Sequence, residues 1–235
     1  MKKIALSCFL NLLFFYNYGQ NPASLKWSQI KTPHFRLIFP SQISSTANRT
    51  ANVLEAVYQP VSKSLGHEPR PISIILQNQT TQSNGFVSML PRRSEFITTP
   101  PQDYTLLGTN NWLDLLAVHE FRHVVQNDKA LTGATKLVYN LLGNNGFAAT
   151  TFLTVPNWFW EGDAVGMESS LSPSGRGRIP SFDMALRTQL LTNGAYSYSK
   201  AVCRSFKDFI PNQTLLDKWI IVKNRHTNPH VQKLY

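Results

Sequence analysis

The sequence predicts an α+β fold with segregated elements, strands before Pro100-Pro101 and helices after them. Three observations carry this. Short apolar runs with strand character fall only in the earlier part of the chain. Apolar residues recur at helical spacing from Trp112 onward. The 235 residues are 42% hydrophobic and include 14 Phe, 8 Tyr and 5 Trp, enough to fill one core without staples.

Taken in order, Lys2-Lys3 precede an apolar run from Ile4 to about Tyr18, the pattern of a secretory signal peptide over residues 1–19. Cleavage is expected near Gly19 or Gln20, with retention as an N-terminal anchor as the alternative. Ser7, Asn11 and Asn17 make the run too short and too polar for a confident membrane span. Either way the remainder is expected to be exported, to the periplasm, the outer membrane or the medium. No later segment is apolar enough to span. Cys8 would leave with the leader and Cys203 would remain alone, which excludes a disulfide scaffold and a Cys-rich zinc finger.

Phe35-Arg-Leu-Ile-Phe39 reads as a strand stopped by Pro40. Ser44 to Leu65 carries Val53, Leu54, Val57 and Val61 on a helical period and is closed by Gly66. Pro60 should bend or shorten it. Pro71 to Leu76 is a second strand. Gly85 to Met89 and Glu95 to Thr98 are short strands around the turn at Pro91-Arg-Arg. Trp112 to Gln126 then gives a strong helix, with Leu115, Leu116, Val118, Phe121, Val124 and Val125. Leu137 to Leu142 and Phe147 to Leu153 form an apolar region split by Gly143-Asn-Asn-Gly146. Pro156 opens a helix to about Ser169, and two more are expected near Ser199 to Phe209 and Leu215 to Lys223. The mature chain therefore reads as one domain over 20–235. A sheet and a first long helix fill 20–130, and a helical part fills 131–235.

The formal charge is +10, and +8 once Lys2 and Lys3 are set aside. The only tight basic groups, Arg92-Arg93 and Arg176-Gly-Arg178, read as solvated loops without interleaved aromatics, so a nucleic-acid partner is not expected.

One motif outranks everything else: His119-Glu120-Phe121-Arg122-His123, inside the predicted helix. Histidines at i and i+4 share a helix face, where two imidazoles can meet one tetrahedral ion. Glu120 sits at the edge of that face, placed to take a proton from a water molecule at the ion. A chain of this composition produces the pattern by chance only about 0.4% of the time. A catalytic zinc wants a third protein ligand, and the candidate is Glu161 in Trp160-Glu-Gly-Asp-Ala-Val-Gly-Met-Glu168. The aromatic run Trp158-Phe-Trp160 is expected to bury the start of that helix, where a carboxylate is costly unless paired or metal-bound. Glu168, two turns further along the same face, could accept the outer N–H of a ligand histidine.

The pair H-E-x-x-H and W-E-G-x-A-x-x-x-E resembles the gluzincin zinc metallopeptidases, the thermolysin- and aminopeptidase-like enzymes of the MA clan. Glu161, Gly162, Ala164 and Glu168 match the aminopeptidase element, with Trp160 where that group has Asn. Thr32 to Pro40 and Ala195 to Ser199 give a weaker likeness to secreted Bacteroidetes-type peptidase domains that often precede a β-propeller. The resemblance implies a zincin-like fold, a mixed sheet packed over the H-E-x-x-H helix followed by a mainly helical subdomain. It implies Zn2+ on His119, His123 and Glu161, with Glu120 as general base and a peptide or protein as substrate. It also implies that substrate adds to an edge strand, for which Glu95 to Thr98 is the candidate. A tyrosine downstream of the third ligand would stabilise the oxyanion, and Tyr196 and Tyr198 stand at a suitable distance. The G-x-M-E-N element of aminopeptidases is missing, which points to an endopeptidase. The chain ends at Gln232-Lys-Leu-Tyr235 without a closing element, so a C-terminally truncated form of a longer protein is expected. The alternative function is a catalytically silent peptide- or protein-interaction module of the cell envelope.

Overall fold

A computed structural model describes residues 21–103, 107–182 and 184–193. The strands are β1 (Trp27–Lys31), β2 (Phe35–Pro40), β3 (Ile72–Gln77), β4 (Gly85–Met89) and β5 (Arg92–Ile97). The helices are α1 (Ser44–Lys63), α2 (Trp112–Ala130), α3 (Gly133–Thr154), α4 (Asn157–Leu171) and α5 (Met184–Asn193). The fold is α+β: the five described strands all precede Pro100, with α1 between β2 and β3, and α2 to α5 follow them.

Alternation builds the sheet's inner face. Phe35, Leu37 and Phe39 of β2 and Ile72, Ile74 and Leu76 of β3 are buried, while the residues between them are not, apart from the terminal Pro40. The order is β1-β2-β3-β5-β4. The pairs β2–β3 and β3–β5 are parallel, while β1 and β4 run antiparallel on the two edges. The parallel step from β2 to β3 needs a crossover, which α1 supplies. Leu54, Tyr58 and Val61 of α1 meet Leu113, Leu116, Ala117, Phe121, Val124 and Val125 of α2 and the sheet's buried side chains in one core. Phe121 packs edge-on against Phe35 at 5.2 Å and stacks on Tyr58 at 5.4 Å, which fixes how α2 lies across the sheet. Met167 carries the same core into α4.

Several expectations need correction. Glu95 to Thr98 is not an edge: its residues belong to β5 or directly follow it, and β5 is paired on both sides, by β3 and β4. The turn after Met89 returns the chain antiparallel, so among the described residues β4 is the edge strand on this side of the sheet. Arg92 and Arg93 are half-buried strand residues, paired with Asp128 and Glu95, rather than solvated loop. Pro60 does not shorten α1, which continues to Lys63. So close to the helix end it removes one ladder bond without ending the helix. The start of α4 is not buried by its aromatics: Phe159 is 48% exposed, and continuous burial begins at Gly162. Small residues at Gly162, Ala164 and Gly166 let α4 sit close to its neighbours, which large rings would prevent. Strand β1 and helix α5 were not legible in advance. The split of α3 appears at Gly143, whose φ of 66° interrupts the helical backbone. The predicted leader, Tyr196, Tyr198 and the two last predicted helices lie outside the described residues.

Candidate metal centre

Helix α2 is capped by Asn111, whose side chain accepts from the Leu113 N–H over 3.1 Å. Arg49 of α1 donates to both Asn111 and Asp114, tying this end of α2 to α1 at the surface. Through its middle α2 is buried almost all round. His119, Glu120, Arg122 and Gln126 are therefore inside the protein, where each polar group must be satisfied.

His119 and His123 lie one turn apart and meet edge to face, with ring centroids 4.8 Å apart. Their Nε2 atoms are separated by 3.1 Å. Helix α4 brings Glu161 to the same point, 3.4 Å from His119 Nε2 and 3.7 Å from His123 Nε2. Ligands about 2.0–2.1 Å from a tetrahedral ion stand about 3.3–3.4 Å apart, so the three spacings bracket what zinc requires. Two imidazole lone pairs and a carboxylate form a donor set that a metal cation satisfies, and the residues present fit the group.

Glu168 accepts from His119 Nδ1 through Oε1, and from Arg176 through both oxygens, with Arg176 Nε 2.8 Å from Oε2. Burial would raise the Glu168 carboxyl, but Arg176 and then His119 hold it down at about 2. A carboxylate so firmly ionised only accepts, so the His119 nitrogen facing it carries the proton and Nε2 keeps the lone pair. Arg176 Nη2 also comes within 2.7 Å of His119 Nδ1, because both donors crowd one acceptor. Burial and Arg176 push His119 down, yet Glu168 and Glu161 more than offset them and leave it above its ordinary value. The same field favours any cation at this point.

Glu120 is 4% exposed, and its Oε2 has no hydrogen-bond partner among the described residues. Burial pushes its carboxyl up to about 7, against the pull of His119. A metal ion beside it would favour the ionised form. The backbone of β4 passes so close that a Cβ at Gly85 would lie 3.0 Å from Glu120 Cγ and 2.5 Å from Leu116 Cδ1. Glycine is what permits this approach.

Four functional positions were missed by reading the sequence. Arg176 holds Glu168 from the turn Arg176–Arg178, where the sequence predicts a solvated loop. Arg122, Gln126 and Asp163 form a buried network behind His123. Gln126 stands three residues after His123, a helical spacing that could have marked it. Arg122 stands among apolar residues of a strongly periodic helix, a second available signal.

The site opens into a cleft of about 480 Å³. Gly85, Phe86 and Val87 of β4 line one side, Trp112, Leu115 and Leu116 another, and Trp160 and Glu161 a third. The structure thus brings His119, Glu120, His123, Glu161 and Glu168 together. No helix among the described residues is long and apolar enough to cross a membrane. No protein-family model matches the chain, and neither does any curated protein or solved structure.

Proposed function

We propose that this chain is a zinc-dependent peptidase of the gluzincin type, with His119, His123 and Glu161 as the metal ligands and Glu120 as general base. One observation carries the reading: three donors at zinc-like spacing converge next to a buried carboxylate that has one oxygen unengaged among the described residues. A zinc ion bound there supplies Lewis acidity towards a carbonyl oxygen and a lowered pKa for a water molecule. Glu120 takes a proton from the attacking water and delivers it to the leaving amine, a role worth about 10²–10⁴ in rate. The edge of β4 offers main-chain groups to an extended peptide, and the adjoining cleft takes its side chains. The mixed sheet with an antiparallel edge strand beside the H-E-x-x-H helix supports a zincin-like reading of the fold. Export follows from the leader pattern at 1–19 and is part of the same proposal.

Metal content by elemental mass spectrometry tests it. One zinc per chain is expected in the wild type, lost in His119→Ala and Glu161→Ala, with cleavage of a peptide library by the wild type. Full zinc occupancy in both variants overturns the ligand assignment. Zinc binding with no cleavage of any peptide favours the interaction module instead.

A further inference from the structure

Behind His123 lies a chain of buried polar groups that the proposed reaction does not by itself require. Gln126 is 3% exposed, and its Oε1 is 2.8 Å from His123 Nδ1. Its amide nitrogen donates to Asp163 Oδ2 over 2.7 Å and to the Trp160 carbonyl over 3.0 Å. Asp163 in turn accepts from Arg122, through Nε at 2.5 Å and Nη2 at 3.1 Å. Arg122 is fully buried, and its remaining terminal nitrogen donates to the Val61 carbonyl and Ser64 Oγ, each at 2.7 Å.

This arrangement leaves the glutamine no choice of orientation. A carboxylate and a carbonyl both face one end of its amide, and both only accept. The NH2 must point there, so the oxygen must point at His123. An oxygen accepts, so His123 Nδ1 must carry the proton. Nε2 is then the lone-pair nitrogen, and it is the nitrogen that faces His119 and Glu161. His119 is set the same way by Glu168, with Arg176 behind it. One helix, α4, thus carries the third ligand at 161 and governs both histidines, from 168 directly and from 163 through Gln126.

We propose that Gln126, locked by the Asp163–Arg122 ion pair, is a positioning residue that sets the tautomer and ring orientation of His123 for metal binding through Nε2. The inference rests on the metal-site reading above and extends it to a part of the molecule that touches neither metal nor substrate. Loss of such a hydrogen-bond partner typically weakens metal affinity about 10–100-fold.

Two measurements test it. Zinc affinity is determined by competition with a chromophoric chelator, for wild type and for Gln126→Met, which keeps length and removes both polar atoms. A loss of 10-fold or more, with the metal-free variant still cooperatively folded, is the expected result. Imidazole two-bond 1H–15N correlation spectra of the zinc-loaded wild type should show His123 protonated at Nδ1 and metal-bound through Nε2, whether or not the variant folds. Unchanged affinity in folded Gln126→Met overturns this inference alone, as does an unprotonated Nδ1 on His123. Absence of zinc from the wild type overturns the metallopeptidase reading and this inference together.

Discussion

Arg176 holds Glu168 in its ionised form: its Nε donates to Glu168 Oε2 over 2.8 Å, and Glu168 Oε1 in turn accepts from His119. The acid is wholly buried, and burial alone would raise its carboxyl. A residue of the turn Arg176–Arg178 thereby decides what His119 meets at Nδ1.

Replacing Arg176 by Met should therefore do more than weaken a loop. Glu168 is left buried with one partner fewer, and breaking such a pair costs about 3–5 kcal/mol. Urea denaturation is expected to show a loss of that order, together with weaker zinc binding. A variant as stable as wild type would show that Arg176 does not support Glu168.

The Arg122–Asp163 pair makes a second prediction. Arg122 has no exposed surface, so Asp163→Ala strands a buried charge and removes one of the two acceptors that orient Gln126. Destabilisation of about 3–5 kcal/mol is expected from the uncompensated charge. A loss below about 1 kcal/mol, the range of surface pairs, would mean that water reaches Arg122.

Asp128, near the end of α2, accepts from both Arg70 and Arg92. Burial raises its carboxyl, and the Arg70 hydrogen bonds and Arg92 more than offset this, so its pKa is lowered in the folded state. A depressed carboxyl contributes stability that is full above its unfolded value of about 3.9 and is lost as pH falls through the folded value. Asp128→Asn should lower the urea midpoint at pH 7, and its deficit should shrink below about pH 4. A deficit independent of pH would remove the electrostatic explanation.

Glu120→Gln separates the proton-transfer role from the ligand role. Glu120 lies outside the three-donor set, so the variant should keep zinc while peptide cleavage falls by about 10²–10⁴. Loss of zinc on this substitution would place Glu120 among the ligands.

What was legible in the sequence was what local periodicity encodes. The spacing of His119 and His123 puts both rings on one helix face in any fold that keeps the helix. The seven-residue step from Glu161 to Glu168 likewise needs only a continuous helix. The alternation in β2 and β3 predicts their inner face. Even Gln126, three residues past His123, lay within reach of this kind of argument.

What the tertiary structure alone decided is which distant residues meet. Nothing local orders β4 outside β5, because strand pairing depends on how the chain turns back after Met89. Nothing local says that Arg176 turns inward to Glu168, or that Arg122 meets Asp163 across two helices. A charged side chain in a sequence looks solvated by default. It is burial beside an opposite charge, set by packing between elements far apart in the chain, that turns it into part of the site.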